Sequence, residues 1–316
     1  MDWKTPEGKA ILLKLIDQAD IVVQNFRQGV VEKLGIDYET LKTRKPDIIY
    51  VSLNAYGDNG PWAHLPGYEE LAEAITGMQH QFGGDTPYLW PYGVVCDYGT
   101  GYAGAYAALL ALYHRNQTGE GQHVSSALAR TSCTLQSLNM QQYKGKDWQK
   151  PLESCLAYEG ILACTDGKVM VASKQLQCLK NNLNLAEGAS SESLADALAD
   201  FCASRTMAGV CNALASIYTG VQSLDWIVDV MAGEATVNQG LSITRFHDGL
   251  TDIRTVGPGH WFKNLAYSAG APVPLVGTDA VSVLGDINQA EELAALVESG
   301  TIHLPTAVQS RYLEDD

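Results

Sequence analysis

Asp97 is an acidic residue set among apolar and aromatic neighbours, with Val94, Val95 and Cys96 before it and Tyr98 after it. It stands at the predicted start of a glycine-rich helix, where an aspartate is typical of a plain N-cap. The position also suits a carboxylate nucleophile, because a helix N-terminus stabilises the ionised form and its free N–H groups bind an oxyanion. Such a nucleophile attacks a carbonyl or thioester carbon. Both interpretations stay open at this point.

The same helix contains the spacing GxGxxG, formed by Gly99, Gly101 and Gly104 after the short apolar run 94–96. This spacing resembles a dinucleotide-binding fingerprint, which also needs an acidic residue about 20 positions on, at the end of a second strand. Glu120 is near that distance but lies in a turn, before any strand. Small residues for tight helix packing explain the same glycines, and we favour that explanation.

The histidines and cysteines do not form a recognisable metal or nucleophile motif. The seven histidines are scattered without metal-ligand spacing, and the sequence has neither a GxSxG nor a GxxxxGK[ST] motif. The seven cysteines form no CxxC pair, which predicts reduced thiols rather than disulfides. We therefore expect no metal site.

Three short apolar segments predict strands of a parallel sheet that is covered on both faces. They are residues 21–23, residues 48–53 and a short segment near His123. Hydrophobic spacing, capping residues and turn formers predict the helices around them. One helix begins at Pro6, another ends at Leu34, and others cover 38–44, 68–78, 98–113 and 131–142.

The composition shifts near residue 150, where a smaller α+β domain is predicted to begin. Residues 161–163 and 169–171 predict a β-hairpin with an Asp166-Gly167 turn, and short helices follow to about residue 232. From about Ser242 the pattern returns to strand and loop, before a helix near 289–298.

The composition is that of a globular protein, with 316 residues, 46% of them apolar and 18% charged. The longest apolar stretch, 105–113, is far shorter than the roughly 20 residues of a membrane span, and the segment MDWKTPEGK has no apolar region of a secretory signal. The net charge of −15 argues against binding to nucleic acid. The first fifty residues hold eight basic and eight acidic residues, so contacts with a small anionic ligand are expected there. These features predict a cytoplasmic protein that binds neither nucleic acid nor membrane.

Six ordered sequence blocks in the first 125 residues resemble the class III CoA-transferases. This family includes formyl-CoA transferase, carnitine CoA-transferase and the α-methylacyl-CoA racemases. A later block, PLVG at 274–277, resembles the C-terminal region of the family, whereas 150–245 matches only in outline. The six blocks are TPEG at 5–8, ADIVVQNFR at 19–27, IIYVS at 48–52, GDNGP at 57–61, PGYE at 66–69 and TGEGQ at 118–122.

The resemblance implies an α/β fold and an interlocked homodimer. In that fold a Rossmann-like parallel-sheet large domain is formed by both chain ends, and a smaller α+β domain is inserted into it. We place the large domain at 1–149, the small domain at 150–243 and the return to the large domain at 244–316. The small-residue helix after Asp97 is compatible with close packing against another element.

The resemblance also implies an enzyme, an acyl-CoA:carboxylate CoA-transferase, in which Asp97 is the catalytic residue. In the family mechanism the aspartate forms an acyl anhydride and then an aspartyl-CoA thioester, with N–H groups near Asp97 stabilising each oxyanion. Coenzyme A and acyl-CoA are then substrates, no cofactor is tightly bound, and the second substrate is a small carboxylic acid.

Residue-by-residue matching places several positions at the CoA contacts of the family. Lys33 stands where an arginine is common, which keeps the charge but loses the bidentate fork. Lys4 suits a phosphate, although an exposed lysine is equally ordinary. The matched positions are Asp2, Trp3, Lys4, Asn25, Phe26, Lys33, Leu65, Gly67, Tyr68 and Glu69.

Tyr68 favours a transferase over a racemase. In the racemase branch this position resembles a histidine base, whereas a tyrosine with an ordinary pKa of about 10 is a poor base at neutral pH. An acyl-CoA racemase or isomerase and a non-catalytic CoA-binding subunit remain the alternatives. The sequence does not identify the acyl donor or the acceptor acid.

Two departures from the family pattern affect these expectations. The resemblance implies that about 70 residues of a family member, half a typical domain, precede the position that matches Met1. That part ordinarily supplies strand-helix-strand units and a portion of the CoA pocket. In formyl-CoA transferase a glycine-rich loop covers the active site. The corresponding segment here, residues 150–159, contains no glycine. Any lid here is therefore expected to differ.

Overall fold

A computed structural model describes residues 1–87, 94–145, 156–215, 220–247, 250–260, 262–264, 270 and 272–304. The chain divides into two compact units. The first comprises Met1–Pro151 and Val276–Ala307, and the second comprises Leu152–Leu275 and Val308–Asp316. The chain therefore returns to the first unit at Val276, whereas we expected the return at 244. Among the described residues, none of the helices has both the length and the apolar character needed to span a bilayer.

The first unit alternates helices and strands from its N-terminus. Its elements are α1 (Pro6–Gln18), β1 (Ile21–Gln24), α2 (Val30–Leu34), α3 (Tyr38–Arg44), β2 (Ile49–Asn54), α4 (Glu69–Ile75), α5 (Met78–Gly83), α6 (Val95–Thr118), β3 (His123–Ala127) and α7 (Leu128–Leu135).

The three strands form a parallel sheet in the order β1-β2-β3. Ile21 pairs with Ile49, and Val51 of the central strand pairs with Val124. The first four residues of β2 are buried because helices cover the sheet, and all of them except Ser52 are hydrophobic. The prediction of a parallel sheet is confirmed, but burial holds mainly for the central strand, since β1 is only partly buried and its Val23 is exposed.

Helix α6 packs on this sheet through Ala108 and Ala111, which lie in one buried cluster with Ile49 and Val51. Its small residues permit a close approach of the helix backbone to the strands. A methyl group added at Gly104 would lie 2.6 Å from Leu53 Cδ2 of β2. Gly104 is therefore required by packing between helix and sheet.

The second unit contains two antiparallel sheets and several short helices. Strands β4, β5 and β6 form one sheet, and β7 and β8 form the other. The predicted hairpin is confirmed as the β4–β5 pair, in which Cys164 lies opposite Gly167. The elements are β4 (Tyr158–Cys164), β5 (Gly167–Ser173), α8 (Leu176–Asn182), α9 (Ser191–Ala203), α10 (Met207–Ala215), β6 (Gly220–Ser223), α11 (Ile227–Ala232), α12 (Glu234–Asn238), β7 (Ser242–His247) and β8 (Thr251–Val256).

The C-terminal segment of the first unit packs against the N-terminal helix. It contains α13 (Ala280–Asp286), a 3₁₀ turn (Ala290–Glu292) and α14 (Leu293–Glu298). Ile11 of α1 is buried in one cluster with Leu284, Leu296 and Ile302. Helix α13 was not predicted, and the helix expected at 289–298 is divided between the 3₁₀ turn and α14.

Three predicted helix boundaries were wrong, each for a local reason. The helix expected at 68–78 is interrupted at Gly77, whose φ of 78° is left-handed, so α4 and α5 are separate. Helix α6 extends beyond 98–113 and ends only at the left-handed Gly119. Helix α7 begins at Leu128 and stops at Gln136, whose side-chain amide bonds back to Ser132, whereas we expected 131–142.

Candidate functional site

A cleft of about 600 Å³ opens in the first unit, where the carboxyl ends of β1 and β2 meet the N-terminus of α6. Open parallel sheets commonly bind ligands at this edge. We call it the first cleft. It is lined by Asn25, Phe26, Arg27, Leu53, Asn54, Ala55, Ala63, Leu65, Gly67, Tyr68, Glu69, Glu70, Asp97, Thr100, Gly101 and Leu128.

Asp97 lies in this cleft as the third residue of α6, with its side chain exposed. The N-cap is Val94, so of the two interpretations left open for Asp97 the plain N-cap is excluded. Removal of water by the surrounding protein raises the pKa of the Asp97 carboxyl, and the carboxylates of Glu69 and Glu70 raise it further. We expected the helix terminus to favour the ionised form, but desolvation and like charge outweigh that effect.

Glu69 occupies the helix N-terminus instead. Its Oε1 accepts the N–H of Cys96 and its Oε2 accepts the N–H of Asp97, each at 2.6 Å. The Glu69 side chain is almost fully buried, at 3% exposure. A carboxylate of the protein therefore holds these two N–H groups, which lie where we expected donors for a substrate oxyanion.

The loop before α4 places Glu69 in this position. A methyl group added at Gly67 would lie 2.3 Å from Ala55 Cβ, so the absence of a side chain lets the loop lie against the end of β2. Tyr68 is the N-cap of α4 and extends into solvent at 68% exposure, while Glu69 turns inward. The sequence PGYE thus presents a tyrosine to the cleft and a carboxylate to α6.

The structure brings seven of the sequence-predicted site residues together around the first cleft. They are Asn25, Phe26, Leu65, Gly67, Tyr68, Glu69 and Asp97.

The other predicted contacts lie outside the lining of the first cleft. Trp3 is nearest, since its ring packs 5.8 Å from that of Phe26. Asp2 is bound locally, because its Oδ1 accepts the N–H of Lys4 at 3.0 Å. Lys4 is exposed, and so is Lys33 on α2. Neither lysine belongs to the described lining of the cleft.

Sequence reasoning did not single out Arg27, although it belongs to the block that carried the resemblance. Arg27 is exposed and is the one Lys or Arg among the described residues that line the first cleft. The local charge balance of the N-terminal segment was the available signal for it. Glu70 and Asn54 were missed as well, because only the folded chain brings them to the cleft of Asp97. Thr100 and Gly101 lie within about one helical turn of Asp97, and from the sequence we assigned Gly101 to helix packing and not to the site.

A chain of polar side chains crosses the three strands beside the cleft. Ser52 Oγ lies 2.8 Å from His123 Nε2 and accepts the amide N–H of Gln24 at 2.9 Å. The Oε1 of Gln24 then accepts the N–H of Phe26 at 2.7 Å. These hydrogen bonds fix the backbone that presents Asn25 and Phe26 to the cleft. It borders a second cleft of about 280 Å³, which shares Phe26, Arg27 and Asn54 with the first.

Cys96, next to Asp97, is not a suitable nucleophile. It is fully buried, and that burial together with the charge of Glu69 raises the pKa of its thiol to about 12. A neutral thiol at physiological pH is a weak nucleophile. Within the described part of the chain, no group of three His, Cys, Asp or Glu side chains is arranged to hold a metal ion.

The glycines of the GxGxxG spacing lie inside α6 and not in a loop between strand and helix. A methyl group at Gly99 would lie 2.6 Å from Thr131 Cγ2, so Gly99 packs against α7 as Gly104 packs against β2. In the part of the chain that the structure describes, a methyl group at Gly101 would meet no atom within 4 Å. The dinucleotide interpretation is therefore excluded for this spacing, and packing accounts for two of the three glycines.

Comparison with known proteins relates the chain to enzymes of coenzyme A. A sequence model of the CoA-transferase family III matches residues 1–280. The succinate–glutarate CoA-transferase of Agrobacterium fabrum is 37% identical over 141 residues, which are 44% of this chain and 35% of that protein. The formyl-CoA:oxalate CoA-transferase of Streptomyces avermitilis is 34% identical over 158 residues, which are 50% of this chain and 37% of that protein.

Human alpha-methylacyl-CoA racemase is 31% identical over 154 residues, 48% of this chain and 40% of that protein. The match thus spans well under two thirds of each of these curated relatives. A CAIB/BAIF family protein from Brucella suis has a similar structure, with a TM-score of 0.76 and 23% identity over 90% of this chain and 80% of that chain. This likeness supports the mixed α/β fold with its parallel sheet.

Proposed function

The chain belongs to CoA-transferase family III, and on that premise we propose that it moves coenzyme A from an acyl-CoA thioester to a free carboxylic acid. The proposed nucleophile is the carboxylate of Asp97. One observation carries the proposal: Asp97 is exposed in the first cleft, at the end of a helix that the buried Glu69 holds in place. A fixed carboxylate suits attack on the acyl carbon of a substrate, and Arg27, the one Lys or Arg among the described lining residues of the same cleft, suits the negative charge of that substrate.

The proposed transfer of CoA from the donor to the acceptor acid takes four successive acyl-transfer steps. An Asp97 oxygen attacks the thioester carbonyl, the C–S bond breaks, and an aspartyl-acyl anhydride forms with release of CoA thiolate. The thiolate attacks the aspartyl carbonyl, which gives an aspartyl-CoA thioester and the free acid of the donor. The acceptor carboxylate attacks this thioester to form a second anhydride. The released thiolate finally attacks the acceptor carbonyl, which restores Asp97 and forms the new acyl-CoA.

The electrostatics around Asp97 support this role. Desolvation, and after it the charges of Glu69 and Glu70, disfavour the negative charge of Asp97 and raise its pKa. A more basic carboxylate is a better nucleophile once it is ionised. Its acylation removes the charge, so the repulsion present in the free enzyme is relieved in the anhydride and in the aspartyl thioester.

Stabilisation of the tetrahedral oxyanions requires other donors, because Glu69 holds two N–H groups of the α6 terminus. The side chains of Asn25 and Tyr68 line the same cleft and carry N–H or O–H donors. We assign oxyanion stabilisation to this group. Preorganised donors in a cleft contribute strongly to catalysis of acyl transfer.

For coenzyme A itself we propose contacts with the lining residues Asn25, Phe26, Leu65, Gly67 and Tyr68, and with Trp3 behind Phe26. Asp2, Lys4 and Lys33 are proposed as outer contacts to its polar groups. We reassign Glu69 from CoA binding to the positioning of α6, since both of its oxygens accept backbone N–H groups.

A homodimer is proposed from the exposed face of α6. Tyr98, Tyr102, Tyr106 and Tyr113 recur along this helix, each at 64–69% exposure, and Leu109 extends the row. A row of exposed aromatic side chains on one long helix is typical of a protein–protein interface.

The transferase is favoured over a racemase because no histidine is among the described residues that line the first cleft. Tyr68 is the side chain at the matching position, and it is a poor base at neutral pH. A racemase would exchange the α-proton of an acyl-CoA with solvent deuterium in the absence of any acceptor acid, and we expect no such exchange.

Intact-protein mass spectrometry after incubation with acetyl-CoA, succinyl-CoA and isobutyryl-CoA tests the proposal. We expect an acyl-sized or CoA-sized adduct on the wild type. The adduct should be absent from Asp97→Asn and retained by Glu70→Gln, the matched control that removes another carboxylate of the same cleft. No adduct with any of the three on the folded wild type, or an adduct that persists in Asp97→Asn, contradicts the assignment.

Arg27→Gln is expected to raise the KM for the acyl-CoA or the acceptor acid by about tenfold, with a smaller change in kcat, because it removes a charge-assisted hydrogen bond to an anionic group. The salt dependence of KM should weaken as well. Steady-state kinetics at two ionic strengths measure both effects. Lys14→Gln, which removes an exposed cation of α1 outside the described lining of both clefts, is the control; an equal effect from it would mean that long-range charge, and not contact, explains the change.

A further inference from the structure

Gly101 is a helical glycine that the packing of the protein does not explain. A methyl group there would meet no atom of the described residues within 4 Å, whereas methyl groups at Gly99 and Gly104 would each meet a side-chain carbon at 2.6 Å. Its φ is not left-handed, so the backbone does not require a glycine either. Glycine inside a helix lowers helix stability relative to alanine. Gly101 therefore lowers the stability of the helix, and no contact among the described residues explains why a glycine is present.

The open space at Gly101 lies in the first cleft beside the proposed nucleophile. Gly101 and Asp97 are four positions apart on α6 and both line the cleft, so they share one face of the helix. Side chains on a helix lean toward its N-terminus and cover the preceding turn. A side chain at position 101 would therefore extend over the approach to the Asp97 carboxylate.

The neighbouring lining residue on this face does not fill that space. Thr100 is buried, and its Oγ1 lies 2.7 Å from Thr131 Oγ1, which turns the hydroxyl toward α7. Apolar side chains, among them Leu53 and Leu128, form part of the cleft wall. A thioester carbon that reaches Asp97 thus has room for its attached acyl carbons at Gly101.

We infer that Gly101 sets the size of the acyl group that can reach Asp97, and that the chain accepts acyl-CoA substrates that are bulky next to the thioester carbonyl. This inference rests on the proposed function, since it assigns the open space to the acyl group of its substrate. A methyl group at position 101 then discriminates by size, because one methylene in a close-fitting pocket changes specificity by tenfold or more.

The experiment compares Gly101→Ala and Gly101→Val with the wild type on acetyl-CoA and isobutyryl-CoA. We expect the ratio of kcat/KM for isobutyryl-CoA to that for acetyl-CoA to fall about tenfold in Gly101→Ala, and further in Gly101→Val. The Tm of Gly101→Ala should rise by about 2 °C, because alanine favours the helix. Gly285→Ala is the matched control: Gly285 lies in α13 with open space around it and outside the cleft, so its ratio should stay unchanged.

A binding measurement separates this inference from the proposed reaction. In an Asp97→Asn background, calorimetric titration should show that Gly101→Ala weakens binding of isobutyryl-CoA about tenfold and leaves that of free CoA unchanged. This selectivity sustains the inference even where the wild type forms no covalent adduct, in which case only the reaction fails. Adduct formation without any size selectivity overturns the inference alone, and no binding of any acyl-CoA overturns both.

The competing explanation is that Gly101 admits a neighbouring copy of the chain. Sedimentation of Gly101→Ala and the wild type decides between them. We expect the same oligomeric state for both proteins. A smaller assembly in the variant, with an unchanged kcat/KM ratio, would assign the glycine to subunit packing and overturn the inference.

Discussion

Asp97→Asn is expected to lower acyl transfer by about 10⁴-fold or more and, at the same time, to raise the Tm of the protein. The loss follows from removal of the nucleophile, whose deletion in acyl-transfer enzymes leaves only the contribution of substrate binding. The gain follows from the raised pKa of Asp97, because desolvation, Glu69 and Glu70 all disfavour its charge in the folded state. An asparagine of similar shape removes that charge.

The stability effect has a defined dependence on pH. A carboxyl whose pKa is higher in the folded than in the unfolded state destabilises the fold above the folded pKa, and the penalty disappears as the pH falls below both values. The Tm difference between Asp97→Asn and the wild type should therefore be largest at neutral pH and shrink on acidification. Thermal unfolding over a pH series measures it. A variant that is less stable than the wild type at pH 7 contradicts the electrostatic account.

Glu70→Gln is the matched variant for both effects. Glu70 is exposed and its charge raises the pKa of Asp97, so its removal should lower that pKa. Activity is retained, but the acidic limb of the rate profile should move to lower pH, because Asp97 stays ionised further into the acid range. If the acidic limb does not move, it does not report the ionisation of Asp97, and the prediction is wrong.

The sheet and the α/β class were predictable because their signals are local. The apolar segments 21–23 and 48–53 are typical of neighbouring strands in a parallel sheet, and the structure pairs them as β1 and β2. The hairpin at Gly167 was predictable for the same reason, since its turn and both strands lie within a few residues. These features depend on short-range sequence alone.

The environment of Asp97 was not predictable from its neighbours. Its position near the start of a helix suggested a cap and a lowered pKa, but the cap is a carboxylate from residue 69, 27 positions before Cys96. No local pattern shows that Glu69 turns inward while Glu70 stays exposed. The same holds for Gly101, because only the folded chain separates glycines that pack from one that leaves space.

Glu69→Ala is expected to reduce both stability and catalysis. The variant loses the two hydrogen bonds to the N–H groups of Cys96 and Asp97 and leaves a cavity at a site with 3% exposure. Loss of hydrogen bonds to a buried charged group, together with an unsatisfied helix terminus, is expected to cost about 3 kcal/mol in the free energy of unfolding. Because the first turn of α6 then loosens, kcat should fall about 100-fold, with a smaller change in KM.

The pH profile distinguishes this positioning role from simple loss of fold. Glu69→Gln keeps the side-chain size and one oxygen acceptor but removes the charge that raises the pKa of Asp97. Its acidic limb should therefore shift to lower pH even though its kcat is reduced, and it should be more stable than Glu69→Ala. Glu70→Ala, which removes the adjacent exposed carboxylate, should lower the pKa of Asp97 without the loss of kcat. If Glu69→Ala and Glu70→Ala have equal effects on kcat, Glu69 acts only through its charge and the hydrogen bonds to α6 do not position the nucleophile.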